Sequence, residues 1–195
     1  MNTFSVNSLK LLDKSTEEFI NKYILHLDFI SYNQNAKSGE RLHAMISYYL
    51  KGFDITKLAN SLNKDEKEIL EKSLSLDIFK EKEKFIKSEE SFLIKCCKDD
   101  LIFYLSGRFD AIFKDEEKYT IYDWKLKNIP QNPKDDLQSI VYLYCASKIF
   151  NTKNIAIKYI SLETQQIAEI DFIDEKAYLD KIFNIIEKLP KKYLT

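Results

Sequence analysis

Two runs rich in β-branched and aromatic side chains constrain the fold of this chain most. They cover residues 107–113 and 119–125, and the residues between them at 115–118 are all charged. β-Branched and aromatic residues favour strands, and a short polar stretch between two such runs is typical of a hairpin loop. The sequence therefore predicts an antiparallel hairpin with a four-residue loop.

Symmetric pairing about that loop predicts which residues lie directly opposite each other: Lys114 and Tyr119, Ile112 and Ile121, and Asp110 and Asp123. Directly opposed residues share a face, with Cβ atoms roughly 4.5–5.5 Å apart. The carboxylates of Asp110 and Asp123 would repel each other there, and a divalent cation is the simplest group that would hold them together. Lys125, two residues after Asp123, is expected on the same face.

Two opposed carboxylates and a lysine indicate a metal-dependent hydrolytic site. Oxygen ligands from two aspartates suit Mg²⁺ or Mn²⁺, which can deprotonate a water molecule and stabilise charge on a phosphate. Lys125 can orient that water or offset developing negative charge. The alternative is an exposed sheet face with an ordinary ion pair. Apolar residues flank these charges on both strands, however, and a buried charge is costly unless it is paired or binds a metal, so phosphodiester hydrolysis is favoured.

Composition is ordinary for a globular chain and adds little about function. The formal net charge of the 195 residues is −1, so no overall basic character indicates nucleic-acid binding. The 30 lysines and arginines still leave room for a local basic groove. No apolar run approaches the length of a membrane span, and no signal peptide is evident, so we expect a cytoplasmic protein with no membrane partner.

The pattern predicts one α/β domain over residues 1–195, in which helices flank a mixed central β-sheet. Further strands are expected at 85–94, 101–113, 155–160 and 167–172, and helices at 8–29, 39–50, 54–62, 64–80, 135–150 and 175–189. Ser8 is the expected cap of the first helix, and Asp135 or Asp136 that of the helix at 135–150. Residues 52–80 are interpreted as a helical insert, 33–39 as a polar connection and 95–100 as a turn.

One question about the acidic face stays open at the level of sequence. Glu89 and Glu90 lie on the strand at 85–94, and either could point toward the acidic face. The three cysteines, Cys96, Cys97 and Cys145, form no disulfide framework and no four-cysteine metal site, which is typical of a reducing compartment.

Short motifs then carry a family resemblance. The segments Gly-Arg-Phe-Asp at 107–110, Asp-Trp-Lys at 123–125 and Gln-Ser-Ile-Val-Tyr at 138–142 resemble the PD-(D/E)XK nuclease superfamily. The resemblance is greatest to its RecB-type branch, in which the helix motif is Gln-X-X-X-Tyr and a helical histidine follows a glycine upstream, as at 39–43. It implies a restriction-endonuclease-like fold with an N-terminal helical region.

The resemblance also implies roles for particular residues. His43, Asp110 and Asp123 would bind metal, and the Trp124 carbonyl would be a further ligand. Lys125 would be catalytic. Gln138 and Tyr142 would lie near the site and help to orient the lysine or the DNA.

The implied function is that of a Mg²⁺- or Mn²⁺-dependent deoxyribonuclease. We expect an exonuclease type, acting on DNA ends or single strands in repair, recombination or mobile-element biology, with a separate helicase or recombination protein as a candidate partner. The alternative is a catalytically silent nucleic-acid-binding or assembly subunit on the same fold, and RNA hydrolysis stays open. Some relatives hold an iron–sulfur cluster with four cysteines, but this chain has none before Cys96 or after Cys145, so no cluster is expected.

Overall fold

A computed structural model describes residues 2–27 and 34–194. Its sheet contains six strands: β1 (Thr3–Ser5), β2 (Phe85–Lys98), β3 (Leu101–Asp115), β4 (Lys118–Lys125), β5 (Ile155–Ser161) and β6 (Ile167–Asp171). The described helices are α1 (Val6–Lys14), α2 (Thr16–Phe19), α3 (Gln34–Leu50), α4 (Thr56–Ala59), α5 (Lys64–Leu74), α6 (Leu137–Phe150) and α7 (Glu175–Ile186). A mixed central sheet flanked by helices confirms the predicted fold class.

The long strand β3 organises the sheet. β2 pairs antiparallel with β3 along one edge, from Leu101 to Phe113. On the other edge, β1 pairs parallel with residues 104–106, and β4 pairs antiparallel with residues 111–115. Among the described strands, residues 107–110 therefore have no strand partner on that edge. This unpaired stretch of β3 contains the motif aspartate, Asp110.

The helix α6 connects two parallel strands. A loop connects the end of β4 to α6, and β5 follows α6 and pairs parallel with β4. This arrangement confirms the predicted strand–helix–strand crossover. The side chain of Asp136 accepts hydrogen bonds from the backbone N–H groups of Gln138, at 2.8 Å, and Ser139, at 3.3 Å, so Asp136 is the N-cap. The cap fixes the first turn of α6, which carries Gln138, beside the end of β4.

Each face of the sheet packs against its own helices. Leu9 of α1, Leu143 of α6 and Ile182 of α7 belong to one hydrophobic cluster. Leu42 of α3 and Leu70 of α5 belong to a second cluster on the opposite face. The two clusters hold β3, β4 and the helices that carry the motif residues in fixed relative positions.

The predicted insert at 52–80 contributes to the second cluster. It contains α4, α5 and a short 3₁₀ turn at Asp77–Phe79, so the helix predicted at 64–80 ends early, at Leu74. The buried ring of Phe79 stacks on Trp124 of β4 with centroids 5.7 Å apart. The division into a single domain over 1–195 with this insert stays a prediction.

Several predicted boundaries are wrong for identifiable reasons. The helix predicted at 8–29 breaks at Ser15, whose side chain accepts from the Glu18 backbone N–H and starts α2; residues 28 and 29 lie outside the described residues. Ser5, not Ser8, is the N-cap of α1, and the two serines form a reciprocal capping box. The polar stretch read as a connection is helical from Gln34, and residue 33 is not described.

Both predicted hairpin loops are too long. Asp115 pairs with Lys118, so only residues 116–117 form the turn between β3 and β4. The turn predicted at 95–100 shrinks to Asp99-Asp100, and Cys96 and Cys97 lie on β2, the first buried and the second exposed. Charged residues at the strand ends are typical of loops, so the sequence did not predict the last residue pairs of either hairpin.

Among the described residues, no helix is both long and apolar enough to cross a membrane. The cytoplasmic location stays a prediction.

Candidate active site

The two motif aspartates lie at the open end of the β3–β4 ladder. The predicted pairs Ile112–Ile121 and Lys114–Tyr119 are present, but the ladder ends at Ala111–Tyr122. Instead of direct pairing between Asp110 and Asp123, the Trp124 backbone N–H donates to Asp110 Oδ2 at 2.9 Å. Asp110 and Asp123 are 8% and 3% exposed, so two carboxylates are buried side by side.

Asp123 is held by Lys125 and Gln138. Lys125 Nζ lies 2.6 Å from Asp123 Oδ2 and donates to Gln138 Oε1 at 2.9 Å. The Gln138 amide in turn donates to Asp123 Oδ1. The structure therefore places Lys125 on the same side as Asp123, as the strand pleat predicts, and brings Gln138 of α6 to both.

One oxygen of Asp123 is paired with Lys125. Asp123 Oδ2 is buried, and its polar neighbour is the Lys125 ammonium at 2.6 Å, with which it forms an ion pair. Burial, followed by the negative charge of Asp110, raises the pKa of Asp123 to about 6, although Lys125 and His43 act in the opposite direction. The ionised form of Asp123 is therefore disfavoured at this position, and a bound cation would favour it.

His43 reaches the site from α3. Its Nδ1 lies 3.4 Å from Asp110 Oδ2. Burial lowers the pKa of His43, but its contact with Asp110 and the negative charges of Asp110, Asp123 and Glu89 outweigh that effect, so the pKa is raised. The structure thus brings the upstream helical histidine next to the first motif aspartate.

Glu89 is a further acidic group that the sequence left open. Its carboxylate, the imidazole of His43 and the carboxylate of Asp110 offer ligand atoms that all lie within 4.8 Å of one another. Arg108 Nη1 lies 2.8 Å from Glu89 Oε2 and is its ion-pair partner. Glu90, the other candidate, instead pairs with Lys87 at 3.1 Å.

A kink shared by β2 and β3 explains why the sequence did not distinguish Glu89 from Glu90. Residues two apart on a regular strand share a face, yet Phe109 and Ala111 belong to opposite hydrophobic clusters. The interruption falls at Asp110 on β3 and at Glu89 on β2, where the backbone has φ of 57°. Positive φ is uncommon for glutamate, and such strain often accompanies functional sites.

Tyr142 supports the open edge of β3. Its hydroxyl donates to the backbone carbonyl of Arg108 at 2.8 Å, and its ring packs edge-on against Phe109 with centroids 5.2 Å apart. Burial and the charges of Asp123 and Asp110 raise the pKa of Tyr142, so the phenol stays protonated. Of the predicted pair on α6, Gln138 contacts the lysine and Tyr142 holds the strand.

The Trp124 side chain lies away from the acidic groups. It is 1% exposed and stacks on Tyr122 with centroids 5.5 Å apart, as well as on Phe79. Its backbone N–H is the group that orients Asp110. Metal binding through the Trp124 carbonyl stays a prediction.

The acidic groups line an open groove with a volume of about 1100 Å³. Carboxylate oxygens and an imidazole nitrogen are a donor set that suits Mg²⁺ and Mn²⁺. The cluster of His43, Glu89 and Asp110 fits a divalent ion, whereas Asp123 lies beside this cluster with its Oδ2 paired to Lys125. Lys125 and Arg108 add positive charge to the same groove, where a phosphate would approach.

Comparison with known families identifies the superfamily of the chain. A family model of the PD-(D/E)XK nuclease superfamily matches residues 3–193. The chain belongs to the PD-(D/E)XK nuclease superfamily. Membership confirms the resemblance seen in the motifs, while assignment of this PD-(D/E)XK protein to the RecB-type branch stays a prediction.

One of the similar solved structures shows the same fold at low sequence identity. The crystal structure of SSO0001 is similar with a TM-score of 0.54 and 17% identity, over 97% of this chain and 78% of that chain. Rai1 of Scheffersomyces stipitis gives a TM-score of 0.30 and 9% identity, over 95% and 60% of the two chains. Rai1 of Candida albicans gives 0.25 and 10%, over 97% and 55%. The two Rai1 similarities are too weak to bear on this chain, and no curated protein sequence matches it.

Proposed function

We propose that this PD-(D/E)XK protein is a Mg²⁺- or Mn²⁺-dependent deoxyribonuclease that hydrolyses phosphodiester bonds. The observation that supports the proposal most is the pair of buried carboxylates, Asp110 and Asp123, with the Lys125 ammonium 2.6 Å from Asp123 Oδ2. Superfamily membership makes a nucleic acid the expected substrate.

Each residue of the site has a proposed role. Asp110 and Asp123 would bind the metal together with His43, and the Trp124 carbonyl and the Glu89 carboxylate would be further ligands. The bound ion would supply Lewis acidity and charge neutralisation. The remaining groups act on the substrate or on one another.

Lys125 is proposed to stabilise charge on the attacked phosphate. Its ammonium is held between Asp123 Oδ2 and Gln138 Oε1, which orients it in the groove. Gln138 is a positioning residue for both Lys125 and Asp123. Tyr142 is proposed to position the β3 backbone beside Asp110 through its bond to the Arg108 carbonyl.

The finer assignments rest on the RecB-type resemblance. We propose exonuclease-type action on DNA ends or single strands in repair, recombination or mobile-element biology, in the cytoplasm, with a separate helicase or recombination protein as a candidate partner. The groove is open at the surface, which is compatible with the entry of a strand end.

Cleavage assays with end-labelled DNA test the proposal. The wild-type protein is incubated with linear single strands, blunt duplexes and covalently closed circles in Mn²⁺, in Mg²⁺ and in EDTA. We expect metal-dependent release of short products from linear DNA, no cleavage in EDTA, and slower cleavage of closed circles than of linear DNA. Cleavage of circles as fast as linear DNA would overturn the exonuclease assignment alone.

A matched pair of lysine variants tests the site. Lys125→Ala should lower the rate by about a hundredfold or more, because one preorganised charge-stabilising group is lost. Lys127→Ala is the control, because Lys127 is an exposed lysine two residues further along the chain and lies 3.5 Å from Glu163. This variant should cleave DNA as fast as the wild type. Equal activity of the two variants, or no cleavage of any DNA, would refute the proposal. DNA binding without cleavage would support the silent-subunit alternative.

A further inference from the structure

A pair of exposed aromatic rings lies at the rim of the groove. Tyr48 and Phe53 are 44% and 61% exposed. Their ring centroids are 6.0 Å apart and the rings are nearly perpendicular, at 84°. Tyr48 lines the groove that contains Asp110.

The end of α3 fixes this pair. Gly52 has φ of 81°, its N–H donates to the Tyr49 carbonyl at 3.0 Å, and the Phe53 N–H donates to the Tyr48 carbonyl at 3.0 Å. These two bonds form a Schellman motif, in which an apolar contact between the two flanking residues is common. Helix termination therefore accounts for the contact between the rings, but not for their large exposure.

One stripe of α3 connects the rings to the acidic groups. His43, Ser47 and Lys51 are spaced four residues apart and so lie on one helix face, and all three line the groove. Tyr48 comes five residues after His43, roughly 7–8 Å along the helix axis. An aromatic ring and a lysine thus continue the groove beyond the candidate metal ligands.

We propose that the exposed ring of Tyr48, supported by its perpendicular contact with Phe53, forms a stacking platform for an unpaired base of single-stranded DNA. The phosphate after that base would lie near Lys51, and the strand would continue toward Asp110. This inference rests on the proposed nuclease function and names the substrate form that the site prefers. Aromatic rings stack on bases of any sequence, and a base within a duplex has no free face to offer, so the platform selects single strands over blunt duplexes.

A substitution that keeps the helix end separates stacking from folding. Tyr48→Leu retains an apolar side chain for Phe53 to contact but removes the aromatic face. Tyr23→Leu is the control, because Tyr23 is also exposed, at 37%, and is not among the groove-lining residues. Phe53→Leu is a second test of the platform, should Tyr48→Leu fail to fold.

Binding is measured by fluorescence anisotropy in EDTA, with labelled oligothymidylate and a labelled blunt duplex. Tyr48→Leu should raise the Kd for the single strand about 5- to 100-fold and change the Kd for the duplex less than about twofold. Phe53→Leu should act in the same direction, and Tyr23→Leu should match the wild type. Unchanged single-strand binding, or equal weakening for single strand and duplex, would overturn the inference.

The outcome is distinguishable from failure of the proposed function. A protein that binds single strands through Tyr48 but cleaves no DNA in Mn²⁺ would retain the platform and lose the nuclease proposal. If the wild-type protein cleaves DNA, and Tyr48→Leu binds single strands as tightly as the wild type does, the nuclease proposal is retained and the stacking platform is refuted.

Discussion

The substitution Asp123→Asn should stabilise the metal-free protein at neutral pH. In the folded protein the pKa of Asp123 is raised from 3.8 to about 6, chiefly by burial and then by the charge of Asp110. A carboxyl with a raised pKa binds its proton more tightly in the folded than in the unfolded protein. Its contribution to the free energy of unfolding is therefore complete below about pH 4 and is lost as the pH rises through about 6.

The size of the effect follows from the two pKa values. A rise from 3.8 to about 6 corresponds to about 3 kcal/mol in the free energy of unfolding over the whole titration. Between pH 4.5 and pH 8 roughly 2 kcal/mol of that amount is lost from the wild type. Asparagine cannot ionise, so Asp123→Asn loses none of it. The attraction of Lys125 acts on the ionised carboxylate and is already included in the pKa of about 6, so its loss in the variant adds no separate cost.

Urea unfolding in EDTA at pH 4.5 and pH 8 measures this difference. The free energy of unfolding of Asp123→Asn minus that of the wild type should increase by about 2 kcal/mol from the lower to the higher pH. Glu117→Gln is the control, because it removes one exposed charge at the β3–β4 turn and should show no such increase. A difference that stays constant, or that falls with pH, would refute the claim that Asp123 holds its charge unfavourably without a metal.

Three further predictions follow from the same structure. Gly107→Ala should lower the free energy of unfolding in urea by about 1–3 kcal/mol, because a Cβ would lie 2.5 Å from the Phe92 ring. Gly39→Ala, in a helix where a Cβ would meet nothing within 4 Å, should raise it by about 0.5–1 kcal/mol. Similar effects of the two substitutions would contradict the packing seen at β3. Gln138→Ala should lower kcat about 10- to 100-fold with little change in KM, because Lys125 and Asp123 lose their shared hydrogen-bond partner. An effect on KM alone would contradict this and show that Gln138 acts in substrate binding. Saturating Mn²⁺ should raise the Tm of the wild type by several degrees and should leave the Tm of an Asp110→Asn, Asp123→Asn double variant unchanged in differential scanning fluorimetry.

The central hairpin could be predicted because its information is local. The short charged stretch between two apolar runs predicted the correct pairing of Ile112 with Ile121 in the β3–β4 hairpin. The strand pleat predicted that Lys125 lies on the same side as Asp123. The cap of α6 was predictable to one of two neighbouring residues, Asp135 or Asp136, since an aspartate before an apolar helix satisfies its first N–H groups, and the structure has Asp136 there. The errors in these elements concern only their ends.

The remainder of the site depends on contacts between distant segments. The three residues of β1 pair with β3 about a hundred positions away, and so short a strand carries no periodic signal. The position of His43 is set by packing of α3 against the sheet, where Leu42 and Ile46 enter the second cluster. Glu89 depends on a positive φ that no propensity for glutamate indicates.

The position of a bound divalent ion tests the account most directly. Crystals grown in Mn²⁺ would be measured at a wavelength with strong manganese anomalous scattering. We predict an anomalous peak within coordination distance of Asp110 and Asp123 carboxylate oxygens, with His43 as a further ligand. A saturated crystal with no peak there, or with manganese bound only elsewhere, would contradict the assignment of this groove as a metal-dependent nuclease site.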